Sequence, residues 1–204
     1  MSISEKARVI ISEIPENVKI VAAAKTRNYQ EVDEAVNAGI TDIGENYLQE
    51  SENIILTFKK NVTWHFIGHL QKNKVKKVVS LFDMIQTVDS YKLCEEIDKR
   101  AEALGKVMEI LIEINIASEE NKSGVLPESA EKLIREISEF KNVRTLGLMT
   151  MGPFVEDGEL LRPYFKKAKE IFNYIKNENI PRVEMKYLSM GMSASYKVAI
   201  EEGA

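Results

Sequence analysis

The chain alternates between short apolar runs and longer segments of helical periodicity, and this alternation limits the folds open to it. Most of the apolar runs are rich in Val, Ile, Leu or Met, which is typical of strands buried on both faces. The strand-like runs are 19–24, 41–44, 63–68, 83–88, 109–116, 144–149 and 182–189, after a leading helix over about 3–13. Strand–helix units with short connections predict a parallel sheet wrapped by helices.

The helical segments carry their own start and stop signals. Asn28 begins the first with Glu31 three residues later, a capping-box pattern, and Gly39 is placed to end that helix. Pro127 suits the first position of a later helix. No linker, low-complexity stretch or repeat interrupts the series, so we predict one domain over residues 1–204.

A parallel sheet of this kind forms either an open doubly wound sheet or a barrel. No Gly-x-Gly-x-x-Gly pattern follows the first strand, which disfavours a dinucleotide-binding sheet. The unusual polar residues and glycines follow the strands: Lys25, 44–46, 68–69, 89–90, Thr150 and 189–193. A barrel brings the carboxyl ends of its strands together at one site. The sequence therefore predicts an α/β barrel of the (β/α)8 TIM type.

Composition excludes several classes of protein. Of the 204 residues, 44 per cent are apolar, and the net charge of −4 gives no global attraction to nucleic acid or to an anionic membrane. Cys94 is the only cysteine, and with only two histidines a zinc site is not expected. No signal peptide or apolar run of membrane length is present, so we expect a cytoplasmic protein.

Lys25 ends the first apolar run, 18–24, and is the first candidate for chemistry. Apolar neighbours would lower the pKa of such a lysine, because desolvation disfavours the ammonium ion. A neutral amine attacks an aldehyde and forms a Schiff base. The alternative is an ordinary lysine that leaves a strand and reaches water.

Three further stretches carry a family resemblance together with Ala-Ala-Ala-Lys-Thr around Lys25. They are Gly-Glu-Asn-Tyr at 44–47, Trp-His-Phe-Ile-Gly-His-Leu-Gln at 64–71 and Leu-Ser-Met-Gly-Met-Ser at 188–193. With Lys-Ser-Gly at 122–124 and Gly-Leu-Met at 147–149, this ordered set closely resembles the pyridoxal phosphate homeostasis proteins, relatives of the N-terminal barrel of alanine racemase. The resemblance implies that Lys25 holds pyridoxal 5′-phosphate (PLP) as a Schiff base.

The expected cofactor contacts are Lys25, Asn46, His69, Met149, Ser189, Gly191, Met192 and Ser193. The segment 189–193 offers hydroxyls, a glycine and backbone N–H groups before a helix, which suits a phosphate, and Ser193 is also placed to cap that helix. Asn46 is a candidate for the ring hydroxyl or an Asx-turn, Met149 for the ring face or the core, and His69 for the mouth.

Other polar residues are assigned no role in binding. His65 lies inside a strand and is expected to be a satisfied core histidine. Glu45 and Glu113 lie near strand ends, but nothing in the sequence makes them a general acid–base pair.

The chain also departs from the family pattern. Ala24 and Asn28 stand where the family usually has serine and proline. The family continues into an eighth strand with an arginine and a glycine on the phosphate and pyridine-nitrogen side, whereas this sequence ends at Ala204. We therefore expect seven strands in an open barrel, whose first and seventh strands have unpaired edges.

The leading functional expectation is a non-catalytic PLP-binding protein that buffers or delivers the cofactor. PLP-dependent apoenzymes are its expected recipients, and a monomer or weak homo-oligomer is expected. One alternative is a PLP-dependent amino-acid racemase, whose chemistry in alanine racemase uses a tyrosine base from an additional domain of the partner subunit. The other alternative is a cofactor-free Schiff-base aldolase acting through Lys25.

Overall fold

The protein is described by a computed structural model, in which residues 1–155 and 157–204 are placed. The predicted strand–helix alternation is confirmed over these residues. The strands are β1 Val21–Ala23, β2 Asp42–Glu45, β3 Thr63–Phe66, β4 Met84–Val88, β5 Met108–Ile114, β6 Val143–Thr150 and β7 Val183–Ser189.

One α-helix precedes β1, and the others lie between the strands and after the last one. They are α1 Ile3–Glu13, α2 Tyr29–Asn37, α3 Leu48–Thr57, α4 Val75–Leu81, α5 Tyr91–Ala103, α6 Ala130–Ile137, α7 Arg162–Asn177 and α8 Tyr196–Glu201. Single 3₁₀ turns over Lys72–Lys74, Pro127–Ser129 and Gly158–Leu161 precede α4, α6 and α7. The capping box between Asn28 and Glu31 is confirmed, and Pro127 opens the 3₁₀ turn before α6 rather than α6 itself.

The seven strands form one parallel sheet in chain order, β1 to β7. Side chains of β4 and β7, which are not neighbours in the sheet, meet on one face, where Ser189 is hydrogen-bonded to Gln86. The sheet therefore curls into an open barrel, and we call this concave side the inner face. In the described part of the chain no strand pairs with the free edges of β1 and β7.

The main core lies between the outer face of the sheet and the helices. Phe66 of β3 and Phe82 meet there edge to face with ring centroids 5.3 Å apart, and Ile85 is fully buried. Burying each such side chain contributes about 1.5–3 kcal/mol. A smaller cluster fills the inner face and consists of Met84, Leu111, Leu146 and Met149 with Tyr187 against them.

Shifts of register interrupt three adjacent pairings, β4–β5, β5–β6 and β6–β7. Beyond them, Glu113, Met149 and Ser189 are aligned in one row across β5, β6 and β7. Parallel register partners share a face, so these three side chains lie on the inner face with the Met149 cluster. The irregular pairings thus set which residues reach the barrel mouth, the rim formed by the carboxyl ends of the strands.

Candidate cofactor site

Lys25 lies at the carboxyl end of β1. Ala23 pairs with Gly44, and Gly44 pairs with His65, whose side chain lies on the inner face. Lys25 follows Ala23 by two residues, and Ala24 between them is buried and donates its N–H to Gly44 O at 2.8 Å. The strand geometry therefore directs Lys25 toward the inner side of the barrel mouth.

The expectation that apolar neighbours enclose Lys25 is wrong, because this residue is exposed. β1 has only three residues and lies at the edge of the sheet, so no strand covers its far side in the described residues. The backbone turns away at Thr26, which has a φ of 64° and donates its N–H to Glu50. The amine of Lys25 is therefore open to a ligand and is not enclosed by the protein.

Ser189 lies at the carboxyl end of β7, and a tight turn follows it. Ser189 is half-buried, and its Oγ lies 2.7 Å from Oε1 of Gln86. Gly191 has a φ of +86°, and a Cβ at this position would lie 2.6 Å from Cβ of Ala199. Only glycine fits this turn without strain. In the described residues, the N–H groups of Gly191 and Ser193 have no hydrogen-bond partner in the protein.

The expected cap by Ser193 is wrong. Helix α8 begins at Tyr196, so Ser195 is the residue that precedes it. Ser195 is buried and its Oγ accepts the N–H of Met192 at 3.0 Å, which bridges the turn instead of capping the helix. Ser193 is exposed. The backbone N–H of Met192 is therefore already used. Between Met192 and Ser193, only Ser193 offers a ligand both a hydroxyl and a free backbone N–H group.

Asn46 and His69 follow β2 and β3 at the same rim. Asn46 is half-buried, and its carbonyl packs so closely on Gly68 that a Cβ there would lie 2.2 Å from it. His69 is exposed and its Nδ1 lies 3.2 Å from the Oγ of Ser123 in the loop after β5. Both residues therefore border the mouth, and His69 contacts a neighbouring loop across it.

Met149 is 5 per cent exposed and belongs to the inner apolar cluster. Its register partners Glu113 and Ser189 are the polar groups on either side. The core interpretation of Met149 therefore describes its packing, and its place in the row of Glu113 and Ser189 puts it near the barrel mouth.

Sequence reasoning missed a buried chain of hydrogen bonds that reaches Ser189. Nε2 of Gln86 lies 3.0 Å from Nδ1 of His65, and Nε2 of His65 lies 3.0 Å from Oδ1 of Asp42. His65 is 4 per cent exposed, so its interpretation as a satisfied core histidine is confirmed. Lys19 and Thr41 complete the environment of Asp42. The four polar residues at 42, 65, 86 and 189 form what we call the Asp42–Ser189 chain.

The two carboxylates near the strand ends lie on opposite faces of the sheet. Glu113 shares the inner row with Ser189, and burial together with Asp89 raises its pKa to about 7. Glu45 pairs with Phe66 on the outer face, where burial and Glu50 raise its pKa to about 7. One oxygen of each has no hydrogen-bond partner in the described structure. The sheet separates the two groups, so they do not form an acid–base pair.

The mouth therefore combines an accessible amine, a hydroxyl with backbone donors, and a carboxyl group with an unsatisfied oxygen on the inner face. The chemistry of this set fits a ligand that carries an aldehyde and a phosphate, since amines condense with aldehydes and turn N–H groups bind phosphate. Glu113 adds a polar partner for such a ligand.

Comparison with known proteins decides the family. Residues 2–202 match the model of the alanine racemase N-terminal domain. The chain belongs to this family. Among the relatives of this chain, the pyridoxal phosphate homeostasis protein of Aquifex aeolicus is 41 per cent identical over 91 per cent of this chain and 81 per cent of its own. The pyridoxal phosphate homeostasis protein of Helicobacter pylori strain 26695 is 36 per cent identical over 98 per cent of this chain and 88 per cent of its own. The chain thus also belongs to the pyridoxal phosphate homeostasis proteins, as the sequence motifs indicate.

Solved structures of the family share this fold. PipY of Synechococcus elongatus, solved without PLP, is 30 per cent identical and superposes with a TM-score of 0.93 over all of this chain and 95 per cent of its own. PipY solved with PLP bound gives a TM-score of 0.90 over the same shares. Alanine racemase of Clostridium difficile, at 12 per cent identity and a TM-score of 0.75 over 92 per cent of this chain, shares the fold alone. The alanine-racemase-like barrel is therefore confirmed.

Two kinds of feature are absent from the described residues. Among the helices placed in 1–155 and 157–204, none has the length and apolar character needed to cross a bilayer. The same residues contain no group of three or more His, Cys, Asp or Glu arranged to hold a metal ion.

Proposed function

We propose that this protein binds PLP covalently through Nζ of Lys25 and takes part in PLP homeostasis in the cytoplasm without a dedicated reaction. The observation that supports this proposal is the placement of Lys25 and Ser189 at the same rim of an open barrel whose family relatives are named for PLP homeostasis. PipY, which is 30 per cent identical to this chain, has been solved with PLP bound.

Each residue of the mouth has a distinct part in the proposed binding. Lys25 supplies the amine, and the phosphate is held by Ser189 and by the N–H groups of Gly191 and Ser193. Met149 supports the ring from below, while Asn46 borders its edge. Bound PLP would supply a reactive aldehyde and an electron-accepting ring.

Three of the expected contacts have smaller roles in this arrangement. The N–H of Met192 is already donated to Ser195, so Met192 contributes only its side chain, which is 47 per cent exposed. His69 is held by Ser123 at the rim and acts as a boundary of the mouth. Glu113 joins the set because its unsatisfied oxygen lies in the row of Ser189.

The test of this proposal is the visible spectrum of the purified protein after incubation with PLP, before and after borohydride. We expect a chromophore that borohydride removes, with the cofactor then found on the peptide that contains Lys25. Lys25→Ala should abolish the chromophore, whereas Lys72→Ala, which removes another lysine near the rim, should retain it. Reduced cofactor on a different lysine would contradict the assignment, and no chromophore at all would favour the cofactor-free aldolase.

The racemase alternative is tested by alanine racemisation. A base on the second face of the substrate is needed, and one positioned general base contributes about 10²–10⁴ in rate. Tyr47, which is 52 per cent exposed, and Tyr164, which packs against the cluster between α7 and α8, are the candidates for this base, and in the described residues no hydrogen bond orients either phenol. We expect turnover far below the roughly 10 per second of a typical enzyme. A rate near that value would establish the racemase instead.

Delivery of PLP to apoenzymes forms the last part of the proposal. The exposed amine of Lys25 lies at an uncovered edge of the sheet, which leaves a route for exchange of the ligand. A PLP-loaded sample mixed with a PLP-dependent apoenzyme should restore its activity faster than free PLP at the same concentration. Sedimentation of the loaded protein tests the expected monomer or weak homo-oligomer.

A further inference from the structure

Every hydrogen bond of the Asp42–Ser189 chain is donated in the same direction, from Ser189 through Gln86 and His65 to Asp42. Burial pushes the pKa of Asp42 upward, but hydrogen bonds from His65, Thr41 and Lys19 outweigh it and hold that pKa far below its usual value. Asp42 is therefore an anion, and a carboxylate only accepts hydrogen bonds. The nitrogen of His65 that faces it, Nε2, must carry the ring proton.

The rest of the chain follows from that first bond. A neutral His65 with its proton on Nε2 has a lone pair on Nδ1, and Nε2 of Gln86 donates to it. The carbonyl oxygen of Gln86 is then turned toward Ser189, whose hydroxyl donates its only proton to it. Asp42, His65 and Gln86 are between 1 and 4 per cent exposed, so water does not offer them other partners.

This direction has a consequence at the mouth. While the proton of Ser189 is held by Gln86, the hydroxyl presents only lone pairs to a ligand above it. A phosphate or sulfate oxygen also presents lone pairs, so the two oxygens repel. If the hydroxyl simply rotates toward an anion, the buried carbonyl oxygen of Gln86 loses its hydrogen bond. Reversal of the chain instead keeps every one of these groups hydrogen-bonded.

We propose that His65 and Gln86 are positioning residues that link anion binding at Ser189 to the uptake of one proton by His65. When Nδ1 of His65 takes a proton from solvent, both ring nitrogens donate, and Asp42 remains the acceptor for Nε2. The amide of Gln86 then turns over, so that its oxygen accepts from Nδ1 and its nitrogen donates to Oγ of Ser189. The hydroxyl proton of Ser189 is released to the anion, and no other proton is gained or lost.

The surroundings of His65 contain other charged and titrating groups. Asp42 faces His65 from β2 with Lys19 beyond it, and Gln86 faces it from β4 without a charge. The register places further ionisable groups on the inner face of the other strands: Glu109 and Glu113 of β5, Arg144 of β6 and Tyr187 of β7. Lys25 lies at the end of β1. Of these, Glu113 must be separated experimentally, because its pKa of about 7 falls in the range of histidine.

The inference rests on the proposed function, in which Ser189 holds the phosphate of the cofactor. Inorganic sulfate is the suitable probe, because it remains a dianion over the range of about pH 5 to 8 in which histidine changes its charge. The chain has two histidines, so ¹⁵N-labelled imidazole signals are readily assigned with His69→Gln. We expect sulfate to convert His65 from the Nε2–H tautomer to the doubly protonated ring at a pH where the free protein keeps it neutral.

Variants separate this linkage from ordinary charge effects. In a Glu113→Gln background, sulfate affinity should rise by up to about tenfold per pH unit as the pH falls within the range of about 8 to 5. His65→Gln should remove this pH dependence, since its amide does not titrate. The variant His69→Gln removes the other histidine, at the rim of the mouth. The part of the pH dependence that persists in His69→Gln but disappears in His65→Gln measures the linkage. Gln86→Met should also uncouple sulfate affinity from His65, because it breaks both hydrogen bonds.

The outcomes distinguish the inference from the proposed function. If sulfate shifts the amide signals of Gly191 and Ser193 while His65 remains in the Nε2–H tautomer, the linkage is overturned and the phosphate site stands. If sulfate shifts neither, the phosphate side of the proposed function fails together with the linkage. Should His65→Gln fail to fold, the imidazole signals of the unaltered protein still decide between these results.

Discussion

The phenol of Tyr196 donates a 2.7 Å hydrogen bond to Oε2 of Glu13, the last residue of α1, and Lys197 forms a 2.9 Å ion pair with the same oxygen. This contact joins the helix that precedes β1 to the helix that follows β7. The hydrogen bond from Tyr196 and the charge of Lys197 lower the pKa of Glu13. The helical layer is therefore linked across the side on which the sheet itself has free edges.

Tyr196→Phe should loosen this link without disturbing the rest of the fold. The contact is solvent-exposed, so we expect a small effect on global stability. Amide hydrogen exchange should become faster than in the unaltered protein, and the increase should be larger in β1 and β7 than in β4 and β5. Because the folded pKa of Glu13 is lowered, its contribution is present at neutral pH and is lost as the pH falls below the ordinary range for glutamate. Tyr174→Phe is the matched control, since that phenol bonds Glu131 away from the edges. Equal exchange rates in both variants would contradict the prediction.

Glu45→Gln should flatten the dependence of stability on pH. The folded pKa of Glu45 is raised from 4.5 to about 7, so its contribution is complete below 4.5 and is lost as the pH rises through about 7. Glu45 is 1 per cent exposed, and a shift of this size corresponds to about 3 kcal/mol between the two limits. Urea unfolding at pH 5 and pH 8 measures it. The exposed Glu16→Gln should follow the unaltered protein, and a Glu45→Gln profile as steep as theirs would show that Glu45 does not titrate in this way.

Gly191→Ala should lower the free energy of unfolding by more than the cost of placing a Cβ at a positive φ. Placing a Cβ at a positive φ costs about 1–2 kcal/mol, and the contact at 2.6 Å from Cβ of Ala199 adds about 1–3 kcal/mol of overpacking. Gly105→Ala is the control, because Gly105 has a φ of +62° but open space around its Cβ position. The difference in unfolding free energy between the variants measures the contact. A cost no larger than that of Gly105→Ala would mean that α8 moves away freely.

Ser189→Ala should weaken ligands that carry a phosphate and spare those that do not. A lost hydrogen bond to a charged group costs about 1.5–3 kcal/mol, which is about one to two decades in affinity. Titration with PLP and with pyridoxal at mildly acidic pH measures the two effects. Ser123→Ala removes a hydroxyl that bonds His69 instead and should change neither affinity. Equal losses for both ligands would remove Ser189 from the phosphate site.

The elements of this fold were predictable from local patterns, whereas the faces of the strands were not. The apolar runs over 83–88 and 109–116 contain β4 and β5, because buried parallel strands need continuous apolar sequence. That same continuity hides which side chains point inward. The register shifts between β4 and β7 then change the alternation within single strands. Glu113 and Glu45 thus look alike in sequence but lie on opposite faces of the sheet.

Within the candidate site, the sequence predicted which residues lie at the rim but not their surroundings. Lys25 and Ser189 follow strand ends, and the family motifs identify them. The exposure of Lys25 depends on the shortness of β1 and on its edge position, which no local pattern reports. The hydrogen-bond chain through His65 and Gln86 was missed because its outer members come from β2 and β7, which are distant in sequence. A polar residue in an otherwise apolar strand was the available signal.

The free edges of the sheet give a bound ligand a mechanical role. Lys25 lies at the end of β1 and Ser189 at the end of β7, so a molecule attached to both would tie together the two strands that no backbone hydrogen bond joins in the described chain. Such a molecule is a removable link between segments near opposite ends of the polypeptide, and because it holds both segments only in the folded state, it stabilises that state by mass action. Loading would then set the rigidity of the barrel, and an emptied molecule would be recognisable by its looser rim.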